Sequence, residues 1–235
     1  MTDKITAKLL AGTLPAGVSS PSYDRNSVKS SIVHIGAGGF HRSHQQYYMD
    51  RILSETGDLS WGICASGIRE EDRVLKDALN SQDCLYTLVE RTDEHAEARI
   101  IGSMTDYVLG HDDVEAFIQK LAAREIKIIS LTVTGAGSYI DQRTSGVNLE
   151  HPDVRHDLAN PSTPKTIFGY LSQALKYRMV NNVPPCTIMS CDNFQGNGSI
   201  SKHTLLAFCD EVDSKLSKWI DKNVAFPNSM VDRIT

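Results

Sequence analysis

The run IKIISLTVT at 126–134 is almost continuously apolar and β-branched, with no polar alternation to give it a wet face. Such a run suits a central strand buried on both sides, and burying both sides requires helices above and below a parallel sheet. CTIMS at 186–190 and the run at 32–35 read as further buried strands, and 61–65 as another. Between them the hydrophobic period lengthens to that of helices. One is expected over 41–56, with Tyr48, Ile52 and Leu53 turned inward and a stop at Gly57. A second covers 70–79, and a third covers 112–123 with Val114, Phe117, Ile118 and Leu121 on the inner face. A fourth starts from the cap and first-turn pair Thr163 and Pro164 and runs to about 180. A long fifth spans 203–222, burying Leu205, Cys209, Val212, Leu216, Trp219 and Ile220.

Two β-rich runs, 84–90 and 98–103, flank RTDEHAE and predict a hairpin. The expectation is an α/β fold: a largely parallel sheet, helices on both faces, and the hairpin inserted. Residues 1–30, rich in Ser, Pro and Gly and without a sustained period, read as an extended leader to a domain at 31–235.

Composition narrows the function classes. The 235 residues carry a net charge of −5 with no Lys/Arg cluster along any expected helix, which argues against nucleic acid and anionic membrane as partners. The apolar patch Leu9, Leu10 and Ala11 is broken by Gly12 and Pro15, far short of a secretory signal. No stretch approaches the roughly 20 apolar residues of a membrane span. Five cysteines at irregular spacings, without a C-x-x-C pair, indicate neither a disulfide framework nor a thiolate zinc site, so a cytoplasmic setting is expected.

Between the first strand and the first helix lies HIGAGGFHRSH, 34–44. Gly36 and Gly38 match the first two glycines of the dinucleotide-binding pattern G-x-G-x-x-G, while the third position is His41. Glycines there allow a tight turn and close approach of backbone N–H groups to a pyrophosphate at the helix N-terminus. The third glycine normally lets helix pack closely on strand, so His41 should make the helix stand off or aim its imidazole outward. A plain strand–helix turn explains the same residues. A zinc site built from His34, His41 and His44 is the weaker alternative, since H-x-x-H without an acid or cysteine lacks a full ligand set; no metal is expected. Past the second strand, REEDR at 69–73 places Glu71 and Asp72 where a ribose 2′-hydroxyl would be bound and a 2′-phosphate repelled, although Arg69 and Arg73 are equally able to hold a phosphate.

The segments IVHIGAGGFHRSHQ, WGICASGIREEDR, YTLVER, IISLTVT, PKTIFGYL, TIMSCDNFQGNG and FPNSMVDRIT, in that order, resemble the mannitol dehydrogenase family of polyol-specific long-chain dehydrogenases. The resemblance implies a Rossmann-like fold, NAD as cofactor without zinc, and reversible oxidation of a polyol or sugar acid to a ketose or keto-acid. By that resemblance Ile35, Gly36, Ala37, Gly38, Gly39, Phe40, His41 and Arg42 would hold the pyrophosphate. Glu71 and Asp72 would set coenzyme preference, and Asn193 would direct its amide at the substrate oxygen.

Two departures qualify it. The family's TEGGY is replaced around 132–140, with Gly135 where its acid is expected. The family's lysine base, with an asparagine six residues on and a histidine three beyond that, has no counterpart among these residues, and neither does its helical C-terminal substrate domain, which would cover the substrate face. The expectation is therefore the cofactor half of a polyol dehydrogenase, incomplete for catalysis by itself. A non-catalytic NAD-binding module or truncated product is the alternative.

Overall fold

Five parallel strands form the centre of the computed structural model, which describes residues 4–6, 10, 12, 14–132, 139–141 and 146–229. In chain order, β1 (Val18–Ser19) precedes β2 (Ser30–Ile35), which runs through the glycine turn into a π-helical turn, His41–Gln45, and α1 (Gln46–Thr56). Then follow β3 (Gly62–Gly67), α2 (Arg73–Asn80), β4 (Tyr86–Arg91), β5 (Ala96–Ile101), β6 (Met104–Leu109), α3 (Val114–Ala122) and β7 (Ile128–Leu131). The short pair β8 (Ile140–Asp141) and β9 (Gly146–Val147) leads to α4 (Pro152–Ala159), α5 (Ile167–Val180), β10 (Thr187–Ser190), α6 (Asn197–Val212) and α7 (Ser214–Asn223).

The main sheet has the order β10-β7-β2-β3-β6, all parallel. Counted along its own strands this is 3-2-1-4-5 from the β6 edge, the Rossmann arrangement. β7 is paired on both sides, as its unbroken apolar run requires, and Ile129 and Leu131 are buried. The expected extension of that strand through 134 lies outside the described residues. Hairpin β4–β5 takes up β1 as a third, parallel strand, which ties residues 18–19 of the leader to the inserted sheet.

Several local expectations are corrected. The inward face of α1 is Gln46, Asp50 and Leu53, whereas Tyr48 and Ile52 are 47% and 42% exposed. The buried polar pair wins because both side chains are fully hydrogen-bonded: Gln46 accepts from Ser103 Oγ at 2.6 Å, and Asp50 binds Tyr23, Arg99 and the Gly102 N–H. α5 is capped by Thr166, whose hydroxyl oxygen accepts from Gly169 N, not by Thr163. Asp157 moves the start by accepting from Lys165 N, Thr166 N and Thr166 Oγ1.

The expected long helix over 203–222 is instead α6 and α7. Asp213 leaves the helical region (φ −164, ψ 105) and its carboxylate caps α7 through Lys215 N. Besides the two-residue strands β1, β8 and β9, two elements escaped the sequence reading. β6 is a sheet edge and tolerates Thr105 and Asp106, which hides its period; α4 opens with a His151 cap and Pro152, a start signal with little apolar stripe behind it. No helix among the described residues is long and apolar enough to cross a membrane, and all five cysteines are buried and unpaired.

Candidate functional site

The strand order reverses between β2 and β7, and the carboxyl ends of the strands at such a reversal are where open α/β sheets bind ligands. The glycine turn follows the end of β2 at that point. Gly36 N still donates to Ser66 O at 2.9 Å, in line with the β2–β3 ladder, and then φ +100 at Gly36 swings the chain away. An L side chain rarely adopts that conformation, so this glycine is required by the backbone itself. Gly38 N donates back to Gly36 O at 2.7 Å, which tightens the turn.

Gly38 is required for no such reason: among the described residues a Cβ built there meets nothing nearer than Gly36 O at 4.0 Å. Gly38 and Gly39 are exposed, and helical backbone begins at Gly39. The first N–H groups of a helix have no intrahelical acceptor, so the turn presents donors and the positive end of the helix dipole to one open space. Arg42 folds beneath it, donating from Nη1 to Ala37 O at 2.7 Å, while Tyr86 Oη donates to Arg42 O at 2.5 Å. Ile35 and Ala37 are buried and Phe40 half-buried, stacked on His44.

His41 does not aim outward. It is wholly buried and stacks on His34, with ring centroids 3.8 Å apart and planes 5° from parallel. The π-helical turn gives the extra width: Gln46 N reaches back to His41 O, five residues away, and the wider turn takes in an imidazole where a glycine usually sits. The nitrogens of both rings are engaged, by Ser130, Gly36 and Thr132 around His34 and by Gln45 and Gln46 around His41. Burial pushes the His34 imidazole down to about 4, and burial together with neighbouring His34 holds His41 well below the usual range. Both rings are neutral at pH 7.

Ser130, Thr132, Gln45 and Gln46 were not singled out by sequence. The signal was present: Ser130 and Thr132 alternate on one face of β7, Ser130 is in register with His34, and His41 and Gln45 share a helix face.

The loop after β3 separates the two expected acids. Asp72 Oδ2 accepts from both Ile68 N and Arg69 N at 3.0 Å, and it packs so closely over Gly67 that a Cβ there would collide with it. Asp72 therefore shapes the loop, and exposed Glu71 carries the outward charge. Arg73 is held by Glu70 and Asp112, and Lys76 by Asp112 as well.

Asn193 follows β10 on the same carboxyl edge of the sheet as the glycine turn, and it is exposed. The turn between β10 and α6 is shaped by buried Asn197. Asn197 Nδ2 donates to Asp192 O, Ser229 O and Ser229 Oγ, and its Oδ1 accepts from Gly198 N and Ser229 N. Gly135 and residues 231–235 lie outside the described residues.

A family profile for the mannitol dehydrogenase Rossmann domain matches residues 30–235. Mannitol 2-dehydrogenase of Phaeosphaeria nodorum is 45% identical over 218 residues, covering 93% of this chain and 38% of the relative. That of Aspergillus clavatus is 44% identical over 238 residues, covering 99% and 47%. Among solved structures, the ternary complex of Pseudomonas fluorescens mannitol 2-dehydrogenase with NAD and D-mannitol superposes with a TM-score of 0.94 at 44% identity, over 99% of this chain and 47% of that one. A substrate-free D-sorbitol dehydrogenase gives 0.90 at 35% identity, over 97% and 47%. The chain thus spans about half the length of the relatives it matches. With its Rossmann strand order, its glycine turn and a profile match over nearly all of its length, the chain belongs to the mannitol dehydrogenase family.

Proposed function

We propose that this chain binds NAD across the carboxyl edge of its parallel sheet and serves the reversible oxidation of a polyol, of the mannitol-to-fructose kind, or of a related sugar acid. The observation that carries the reading is the Gly36 turn: a positive-φ glycine at the strand-order reversal, with space over Gly38 among the described residues and the N–H groups of a helix start beside it. That cradle fits a pyrophosphate. NAD, when bound, supplies the hydride acceptor.

Ile35, Gly36, Ala37, Gly38, Gly39, Phe40, His41 and Arg42 form the cradle; backbone N–H groups face the ligand, and His41 and Arg42 support the turn from within. Glu71 repels a 2′-phosphate and Asp72 holds the loop that presents it, which favours NAD over NADP. Arg73 is engaged by Glu70 and Asp112 and is not offered to such a phosphate, which leaves exposed Arg69 as the competing cation on this loop. Asn193 donates its amide hydrogen to the substrate oxygen as negative charge builds there; a preorganised donor at a strand end suits that task. Residues 31–235 act as the NAD-binding unit and 1–30 as its leader, in a cytoplasmic protein.

Calorimetric titration with NADH and NADPH tests the reading. Saturable binding of NADH, tighter than that of NADPH, is expected. Absence of saturation at about 1 mM NADH, a binding free energy weaker than about −4 kcal/mol, would sink it. NADH binding without turnover of D-mannitol would favour a non-catalytic module over an oxidoreductase.

A further inference from the structure

The buried polar groups beneath the turn admit a proton assignment that satisfies every member and runs in one direction. His34 Nε2 lies 3.0 Å from the Gly36 carbonyl, which can only accept, so His34 carries its proton on Nε2 and its Nδ1 accepts from Ser130 Oγ at 2.8 Å. Ser130 Oγ in turn accepts from Gln45 Nε2 at 3.0 Å. Gln45 Oε1 accepts at 2.8 Å from His41, whose proton is thereby on Nδ1. His41 Nε2 accepts from Gln46 Nε2 at 2.9 Å, and Gln46 Oε1 accepts from Ser103 Oγ at 2.6 Å.

The chain of donors starts before β6, crosses the first helix, passes through the end of β7 and finishes on Gly36 O. There it meets Thr132 Oγ1, which donates to the same carbonyl at 2.6 Å, and Gly38 N at 2.7 Å. Gly36 O thus collects donors from three directions. Rotation of its peptide plane would break all of them, and a polarised chain strengthens each link.

We propose that this chain is a latch holding the glycine turn in its ligand-ready conformation, with Thr132, Ser130, His34 and His41 as positioning residues for the pyrophosphate of NAD. The cofactor is the one argued above, so the proposal rests on that reading; the conformation of the latch does not. The turn is then set before any ligand arrives, and the cost of ordering it is met in folding rather than in binding.

The test compares Thr132→Val, which keeps the shape and removes the hydroxyl, with Thr132→Ser, which keeps the hydroxyl. NADH affinity is read by calorimetry, with thermal unfolding as the control for stability. Thr132→Val should bind NADH about tenfold more weakly while Thr132→Ser stays within about twofold of the parent. Equal affinity of Thr132→Val and the parent overturns the proposal, as does an equal loss in both variants. The imidazole nitrogens, observed by NMR without cofactor, should show His34 as the Nε2–H tautomer and His41 as the Nδ1–H tautomer. Opposite tautomers overturn the latch whatever the binding data say. If the parent fails to bind NADH while the tautomers are as stated, the cofactor reading fails and the latch stands as a feature of the turn alone.

Discussion

Lowering the pH should destabilise the protein in a window set by His34. Its imidazole is wholly buried and neutral, with its titration pushed from 6.5 to about 4 by burial. Above the unfolded value neither state takes up a proton, so stability is level there. As pH falls below 6.5 the unfolded chain binds a proton that the folded chain refuses, and stability drops until about 4. At about pH 5 this linkage amounts to about 2 kcal/mol from His34 alone, and it approaches about 3 kcal/mol at lower pH. His41 shifts in the same direction and adds to the loss. Against a typical domain stability of about 5–15 kcal/mol the effect is large enough to measure. Urea unfolding, followed by the fluorescence of Trp61 and Trp219 at about pH 7 and about pH 5, reads it directly. The carboxylates held low by partners, such as Asp58 and Glu70, lose most of their contribution only below their ordinary values of 3.8 and 4.5, under the pH range compared. In His34→Gln the loss between the two pH values should shrink by about 2 kcal/mol relative to the parent. An unchanged loss in that variant would refute the assignment of a neutral buried imidazole at this position.

Gly36→Ala should cost at least about 1 kcal/mol of stability, seen as a lower urea midpoint, because φ +100 is closed to a Cβ; NADH binding should weaken with it. Asn193→Ala, at an exposed position, should leave unfolding within about 0.5 kcal/mol of the parent, yet lower polyol turnover by about 100-fold or more in a protein that turns over. Asn197→Ala should do the reverse, losing about 1–3 kcal/mol or more because the hydrogen bonds of a buried amide to Asp192, Gly198 and Ser229 are lost. Asp50→Ala, which strands the Arg99 guanidinium, Tyr23 hydroxyl and Gly102 N–H, should cost about 3–5 kcal/mol by the same assay.

The parallel sheet was legible because its inner strands β2, β3 and β7, and the edge strand β10, carry short apolar runs. β6, at the other edge, was not, because Thr105 and Asp106 interrupt its apolar residues. Boundaries failed where a single side chain overrode the period. Asp213 divides one amphipathic stretch into two helices, and Asp157 relocates the start of α5 to Thr166. At the site, the glycines and the acids after β3 were visible as motifs, whereas Asn193 was singled out only through the family resemblance. The direction of His41 was not, because a glycine-to-histidine exchange looks like an obstruction until the π-helical turn is known. That turn depends on the Gln46 N–H reaching His41 O, a choice of hydrogen-bond register that no side-chain pattern announces.

The inward face of α1 was misread for a related reason. Hydrophobic burial is non-directional, so Tyr48 and Ile52 looked like the natural core residues. Gln46 and Asp50 take their place because partners wait for them on Ser103, Arg99, Tyr23 and the Gly102 backbone. An apolar stripe would let the helix slide or roll over the sheet at small cost, whereas each of these polar pairs is satisfied in one register only. The helix that starts at the glycine turn is therefore fixed along its length, by Asp50 in its second half and by the imidazole chain at its start. Gln46, His41, Gln45, Ser130 and His34 form a continuous line of hydrogen bonds from the first helix to Gly36 O. The polar seam gives up some hydrophobic area and in exchange defines where the open N–H groups of the turn point.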